Sequence, residues 1–163
     1  MKYSSDNPSD FEFHDAELSF VSFSDNTLTV SAEMLNIHKE TKQNPHPADM
    51  EIDRALITFH NFTLHSFDPG DTWTQDTNKE WFPSEKGEIL FGTRALEKFL
   101  HELQTWICVY RFDTAKDGGH SIEAASSDEP WFEVVISFSR VIIEWDKYRR
   151  MAWYEEKRQK SSQ

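Results

Sequence analysis

Residues 27–34 alternate strictly: Leu28, Val30, Ala32 and Met34 interleave with Thr27, Thr29, Ser31 and Glu33, the two-residue period of a strand with one buried and one wet face. Asp25-Asn26 stands before this run, where a tight reversal is needed and where Asn and Asp tolerate positive φ. With Leu18 to Phe23 as its first arm, the stretch Phe11 to Ile37 reads as the opening hairpin of a sheet. Leu35 and Ile37 continue the apolar rhythm one residue out of phase, which predicts a bulge at Met34-Leu35.

The same rhythm recurs downstream. Met50 to Phe67 predicts a long strand or a bent pair, with an irregularity near His60-Asn61; Trp106 to Phe112 and His120 to Ala125 predict two strands joined by Asp117-Gly118-Gly119. Phe132, Val134, Ile136 and Phe138 form one alternating face and Val141, Ile143 and Trp145 another, shifted at Ser139-Arg140, so a bulged strand and two strands at a corner fit equally. The period changes once: Leu96, Phe99, Leu100 and Leu103 follow helical spacing behind Thr93 as N-cap, predicting an amphipathic helix over 93–104. Residues 146–160 are helix-friendly, with a short strand through Met151 to Tyr154 as the competing reading. The expected fold is α+β and β-rich: one mostly antiparallel, bulged sheet of six to seven strands, curling toward a sandwich or half-barrel, with one packed helix and a C-terminal helix.

At 163 residues the chain is expected to form a single domain, with residues 1–10 a loose leader and 147–163 a basic tail. Residues 38–49, with Pro45 and Pro47, and 68–88, with Pro69-Gly70, Pro83 and Gly87, read as polar loops. The second loop is unusual in carrying Trp73, Trp81 and Phe82, which either tuck back over the core or form a contact surface. No signal-peptide pattern and no apolar run long enough for a membrane span are present, so the cytosol is the expected compartment and no membrane partner is expected. Asn61-Phe62-Thr63 is then a chance sequon, and the single cysteine, Cys108, is expected as a small core residue.

Formal charge is −12, and residues 147–163 carry +4 of their own, which leaves −16 for the remainder. An acidic body argues against a nucleic-acid platform, which needs clustered cations. It is either a solubility charge or an attraction to a basic partner.

Seven histidines raise the question of metal, yet no HxxxH, CxxC or other ligand spacing occurs, and no metal or cofactor is expected. His60 and His65 fall on opposite faces of a regular strand. His14-Asp15 is the most suggestive pair, although adjacent side chains diverge on an extended backbone; a structural role, with His14 pinning a loop through one ring nitrogen, is the favoured reading. Nucleophile elbows and glycine-rich phosphate loops are absent.

Phe13-His14-Asp15-Ala16 with Leu18, followed by a hairpin, resembles the opening of a group of small bacterial sheet domains of poorly defined function, some of them immunity proteins of toxin systems. Ile57 to Phe62 and Val141 to Trp145 look like later strands of the same architecture. The resemblance implies a sheet-rich fold and no catalytic residue. Two functions are therefore expected to compete. One is a non-enzymatic, immunity-like binding protein that meets a basic protein through its acidic surface and Trp73, Trp81 and Phe82. The other is a small-molecule or hydrolytic site around His14 and Asp15 with a histidine brought near by the fold, such as His60 or His120. A homo-oligomer formed through a sheet edge is a third, milder expectation.

Overall fold

The computed structural model describes residues 1–115, 118–155 and 157. In chain order the strands are β1 (Tyr3–Ser5), β2 (Phe11–Glu12), β3 (Glu17–Ser24), β4 (Thr27–Glu33), β5 (Asn36–Ile37), β6 (Met50–Ile52), β7 (Ala55–His60) and β8 (Thr63–Asp68). They continue with β9 (Thr72–Gln75), β10 (Trp81–Glu85), β11 (Leu90–Phe91), then helix α1 (Gly92–Thr105), β12 (Ile107–Thr114), β13 (His120–Ala125), β14 (Phe132–Ser137), β15 (Arg140–Trp145) and β16 (Tyr148–Met151). The fold is β-rich α+β, and every strand pairing is antiparallel.

The main sheet has ten strands, not six to seven, in the order β1-β15-β7-β4-β3-β12-β13-β14-β8-β11. A second sheet runs β16-β6-β5-β2, and β9 and β10 form a separate hairpin. The expected count left open whether the long apolar stretches were single strands or pairs, and it lacked β1. Met50 to Phe67 is in fact three strands, and the Ser139 shift separates β14 from β15.

Connectivity dictates the sheet's shape. Only Asn61 and Phe62 join β7 to β8, and only Phe138 and Ser139 join β14 to β15, yet five strands lie between the members of each pair in the sheet order. Six flat inter-strand spacings would span roughly 29 Å, whereas three residue steps reach about 11 Å. The sheet therefore curls until its distant strands face each other, but it stays open, with β1 and β11 as edges. Asn61 makes the sharp exit from β7 at φ 52°.

The concave face is the core. Alternate residues Ala55, Ile57 and Phe59 of β7, Val141, Ile143 and Trp145 of β15, and Phe132, Val134 and Ile136 of β14 are buried. A run of ring contacts crosses it from Phe13 through Phe112, His120 and Phe138 to Phe59, with centroids 4.3–5.5 Å apart. Helix α1 contacts both β8 and β3, which the sheet order separates widely, so it spans the curl; Ala95, Phe99 and Leu103 are its buried stripe. It begins one residue before the expected start, with Phe91 at the N-cap, so Thr93 is not the cap.

Other expectations are corrected by long-range pairing. The opening ten residues are not a loose leader: β1 pairs with β15, and Pro8–Asp10 forms a 3-10 turn capped by the Asn7 side chain. Met34, at φ 57°, is not a bulge but a corner where the chain leaves the main sheet for β5 of the second. The residues expected to start a C-terminal helix instead form β16 against β6, and helix begins only at residue 153, with residues 153–155 and 157 helical among the described residues. Residues 156 and 158–163 of the expected basic tail, and Asp117 of the Asp117-Gly118-Gly119 turn, lie outside the described residues. The tail's Arg149 and Arg150 stay exposed but pair with the buried carboxylate of Glu51, at 3.3 and 2.8 Å.

Candidate functional site

Two features stand apart from the packing. The first is a cavity of about 340 Å³ lined by Glu12, His14, His38, Asp49, Trp153 and Tyr154. Its near wall is built around the end of β2. Phe11 and Phe13 are buried in the core, Glu12 alternates with them, and His14 follows in the turn after the strand. Glu12 pairs with Asn36, and the His38 amide donates to the Asp10 carbonyl, which continues that ladder and puts His38 on the same face as Glu12. The far wall comes from the turn after β16, held by the Ala152 amide on the Asp49 carbonyl.

The polar atoms here are firmly placed. The Glu12 carboxylate accepts from the His14 amide at 2.9 Å. His14 Nδ1 lies 2.8 Å from the Tyr110 carbonyl oxygen, which can only accept, so Nδ1 carries the proton and Nε2 presents a lone pair in the neutral ring. Asp49 Oδ1 accepts from the Lys39 amide at 2.9 Å; its Oδ2 accepts from the Tyr154 hydroxyl at 2.9 Å and meets His38 Nδ1 at 3.2 Å. Burial alone would raise the Asp49 pKa, but these donors outweigh it and hold the carboxyl below its ordinary value. Burial and the neighbouring Asp49 carboxylate push the Tyr154 phenol up, so it remains a neutral donor. The ionised Asp49 therefore fixes the protonated nitrogen of His38 and leaves Nε2 of that ring as the acceptor.

Among the residues singled out from sequence, only His14 lines this cavity. Asp15 adopts φ 69°, which breaks the extended backbone and brings Oδ1 to 3.5 Å from His14 Nε2 instead of letting the side chains diverge. The expected loop-pinning by His14 is seen in its bond to Tyr110. Neither histidine proposed as its companion joins it. His60 ends β7, where its carbonyl accepts from Ser139. His120 stacks on Phe138 at 4.3 Å, bonds Thr114 through Nδ1 and is pushed down in pKa by burial. The companion is His38, from a loop that sequence reasoning passed over. Cys108 is half-buried in β12 rather than in the core, and burial, then Asp15 and Glu17, raises its thiol pKa.

The second feature is the β9–β10 hairpin. The segment read as an aperiodic loop is a paired ribbon with every strand residue exposed. Trp73 opposes Pro83 and Trp81 opposes Gln75, so Trp73 and Trp81 share one face and Phe82 takes the other. These rings are 55%, 64% and 44% exposed, so they do not tuck over the core. The tip is fixed by Asp76, whose carboxylate accepts from the Asn78 and Glu80 amides. The neck is tight: a Cβ on Gly87 would lie 1.8 Å from the Gly70 carbonyl oxygen, and one on Gly70 2.7 Å from the Trp131 ring. Ile89 and Phe91, just past the neck, are also exposed.

Comparison with known families, curated proteins and solved structures finds no match for this chain. No helix among the described residues is long and apolar enough to cross a membrane.

Proposed function

We propose that this chain is a protein-binding domain of the immunity-like kind, which uses the β9–β10 hairpin to engage a basic protein. The observation that carries this reading is the hairpin itself: Trp73, Trp81 and Phe82 stand in solvent on a ribbon mounted on a tight glycine neck. A two-stranded ribbon gains little stability from exposed indoles, and large exposed apolar surface marks contact sites. Trp is also among the residues that most often dominate interface energies. Residues 68–88 add six carboxylates against Lys79 and Lys86, so the aromatic surface sits in a negative field that accelerates encounter with a cationic partner. The fixed neck and tip reduce the conformational entropy lost on binding.

The test is a salt-resolved capture. Wild-type protein is expected to retain a basic partner from native lysate at low salt and release it as ionic strength rises, while Trp73→Ser/Trp81→Ser retains none. Equal capture by both proteins contradicts the reading, as does the absence of any partner at low salt.

A further inference from the structure

Both histidines of the 340 Å³ cavity are oriented in the manner of metal ligands. His14 gives its Nδ1 proton to the Tyr110 carbonyl and His38 gives its own to the Asp49 carboxylate. A histidine that ligates through Nε2 characteristically donates its other ring N–H to a backbone carbonyl or a carboxylate, which fixes the tautomer and raises ligand basicity. Two such rings on one wall, each with Nε2 outside any hydrogen bond among the described residues, form half of a zinc coordination shell. Asp15 does not occupy the His14 nitrogen, because 3.5 Å is too long for an N–H···O bond.

Glu12 supplies a third ligand. It shares the face of His38 as a diagonal cross-strand neighbour, and diagonal Cβ atoms lie roughly 7–8 Å apart, a span that a glutamate and an imidazole bridge through one ion. Its carboxylate accepts from the backbone amide of His14, the residue that carries the second ring, and all three side chains line the one cavity. We propose that Glu12, His14 and His38 bind a divalent transition metal of the zinc type, with Asp49 as the residue that positions His38. The three donor atoms are not gathered within 4.8 Å of one another, so the ion draws the side chains inward across the cavity. Three protein ligands leave one tetrahedral position for water or a ligand, the arrangement of reactive rather than structural zinc. Trp153 and Tyr154 form the apolar side of this opening.

His101, Glu102 and Asp128 are more tightly clustered, but the Lys98 ammonium lies 2.8 Å from Glu102 and 2.7 Å from Glu129, and Ser126 donates to the other Glu102 oxygen. A cation already neutralises that group, so it is the control rather than the site. The metal inference is independent of the hairpin reading, and either can fail alone.

The experiment is calorimetric titration of the tag-free, EDTA-treated full chain with zinc chloride, accompanied by cobalt(II) absorption spectra. One ion per chain is expected. His14→Gln, His38→Gln and Glu12→Gln should each weaken binding at least about tenfold, Asp49→Asn should weaken it by about 10-fold to 100-fold, and His101→Gln should leave it unchanged. Zinc should also shift the ring resonances of His14 and His38 in the unaltered protein, a readout that no misfolded variant can confound. Absence of binding, ring shifts confined to other histidines, or a loss produced by His101→Gln alone would overturn the proposal.

Discussion

Asp49 and His38 meet at 3.2 Å between Oδ2 and Nδ1, and this contact links the polar loop after β5 to the wall of the cavity. The carboxylate is mostly buried and also accepts from the Lys39 amide and the Tyr154 hydroxyl, so it ties three separate segments together.

The first prediction follows from its charge. Because the folded-state pKa of Asp49 lies below the ordinary 3.8, the unfolded chain takes up the proton first as pH falls. Its contribution is present above pH 3.8 and is lost as pH drops through the folded value. Asp49→Asn should lower stability near neutrality by about 1.5–3 kcal/mol, the range for hydrogen bonds to a charged group. It should also flatten the acid limb of a denaturation series recorded against pH.

His120 titrates in the opposite part of the scale. Burial lowers its pKa below 6.5, so the unfolded chain binds the proton that the folded chain resists, and stability declines as pH falls below 6.5. Replacing it by Phe, which preserves the stack on Phe138, should remove that decline. Urea midpoints at pH 7.5 and 5.5 provide the check.

Core strands should respond to truncation as packed interior. Ile57 is fully buried and pairs with Val30 of β4 on one side and Ile143 of β15 on the other. Ile57→Ala is expected to cost about 2–5 kcal/mol, measured by denaturant unfolding.

The hairpin neck should fail locally. A methyl group on Gly87 would collide with the Gly70 backbone, which no side-chain rotation relieves. Gly87→Ala should accelerate amide exchange in β9 and β10 while leaving protection in β7 and β15 intact.

Local pattern was enough to reveal much of this fold. Asp25 and Asn26, with φ 48° and 55°, make the reversal between β3 and β4 that their residue types suggested, and α1 spans nearly the expected residues. Met34 was misread as a bulge, and the irregularity at His60-Asn61 could not be resolved between a long strand and a pair, because a break in alternation looks the same whether the chain bulges, turns within its sheet or departs for another; only the distant partner distinguishes them. The cavity was half legible. Alternation about Phe11 and Phe13 turns Glu12 out of the core, with His14 close behind it in sequence, but nothing local joins His38 to Asp49, eleven residues away, or brings Trp153 and Tyr154 across from the far end of the chain. The Trp73, Trp81 and Phe82 surface was visible as residues, while its ribbon geometry was hidden by Pro83 and weak alternation.

The claim that these rings exist for contact rather than for folding is tested most directly by the stability of Trp73→Ser/Trp81→Ser/Phe82→Ser in urea. An unfolding free energy within about 0.5 kcal/mol of wild type, the usual range for surface substitutions, is the expected result. A loss of several kcal/mol would mean that the rings pack against the body, and would contradict the assignment of the hairpin as a binding surface.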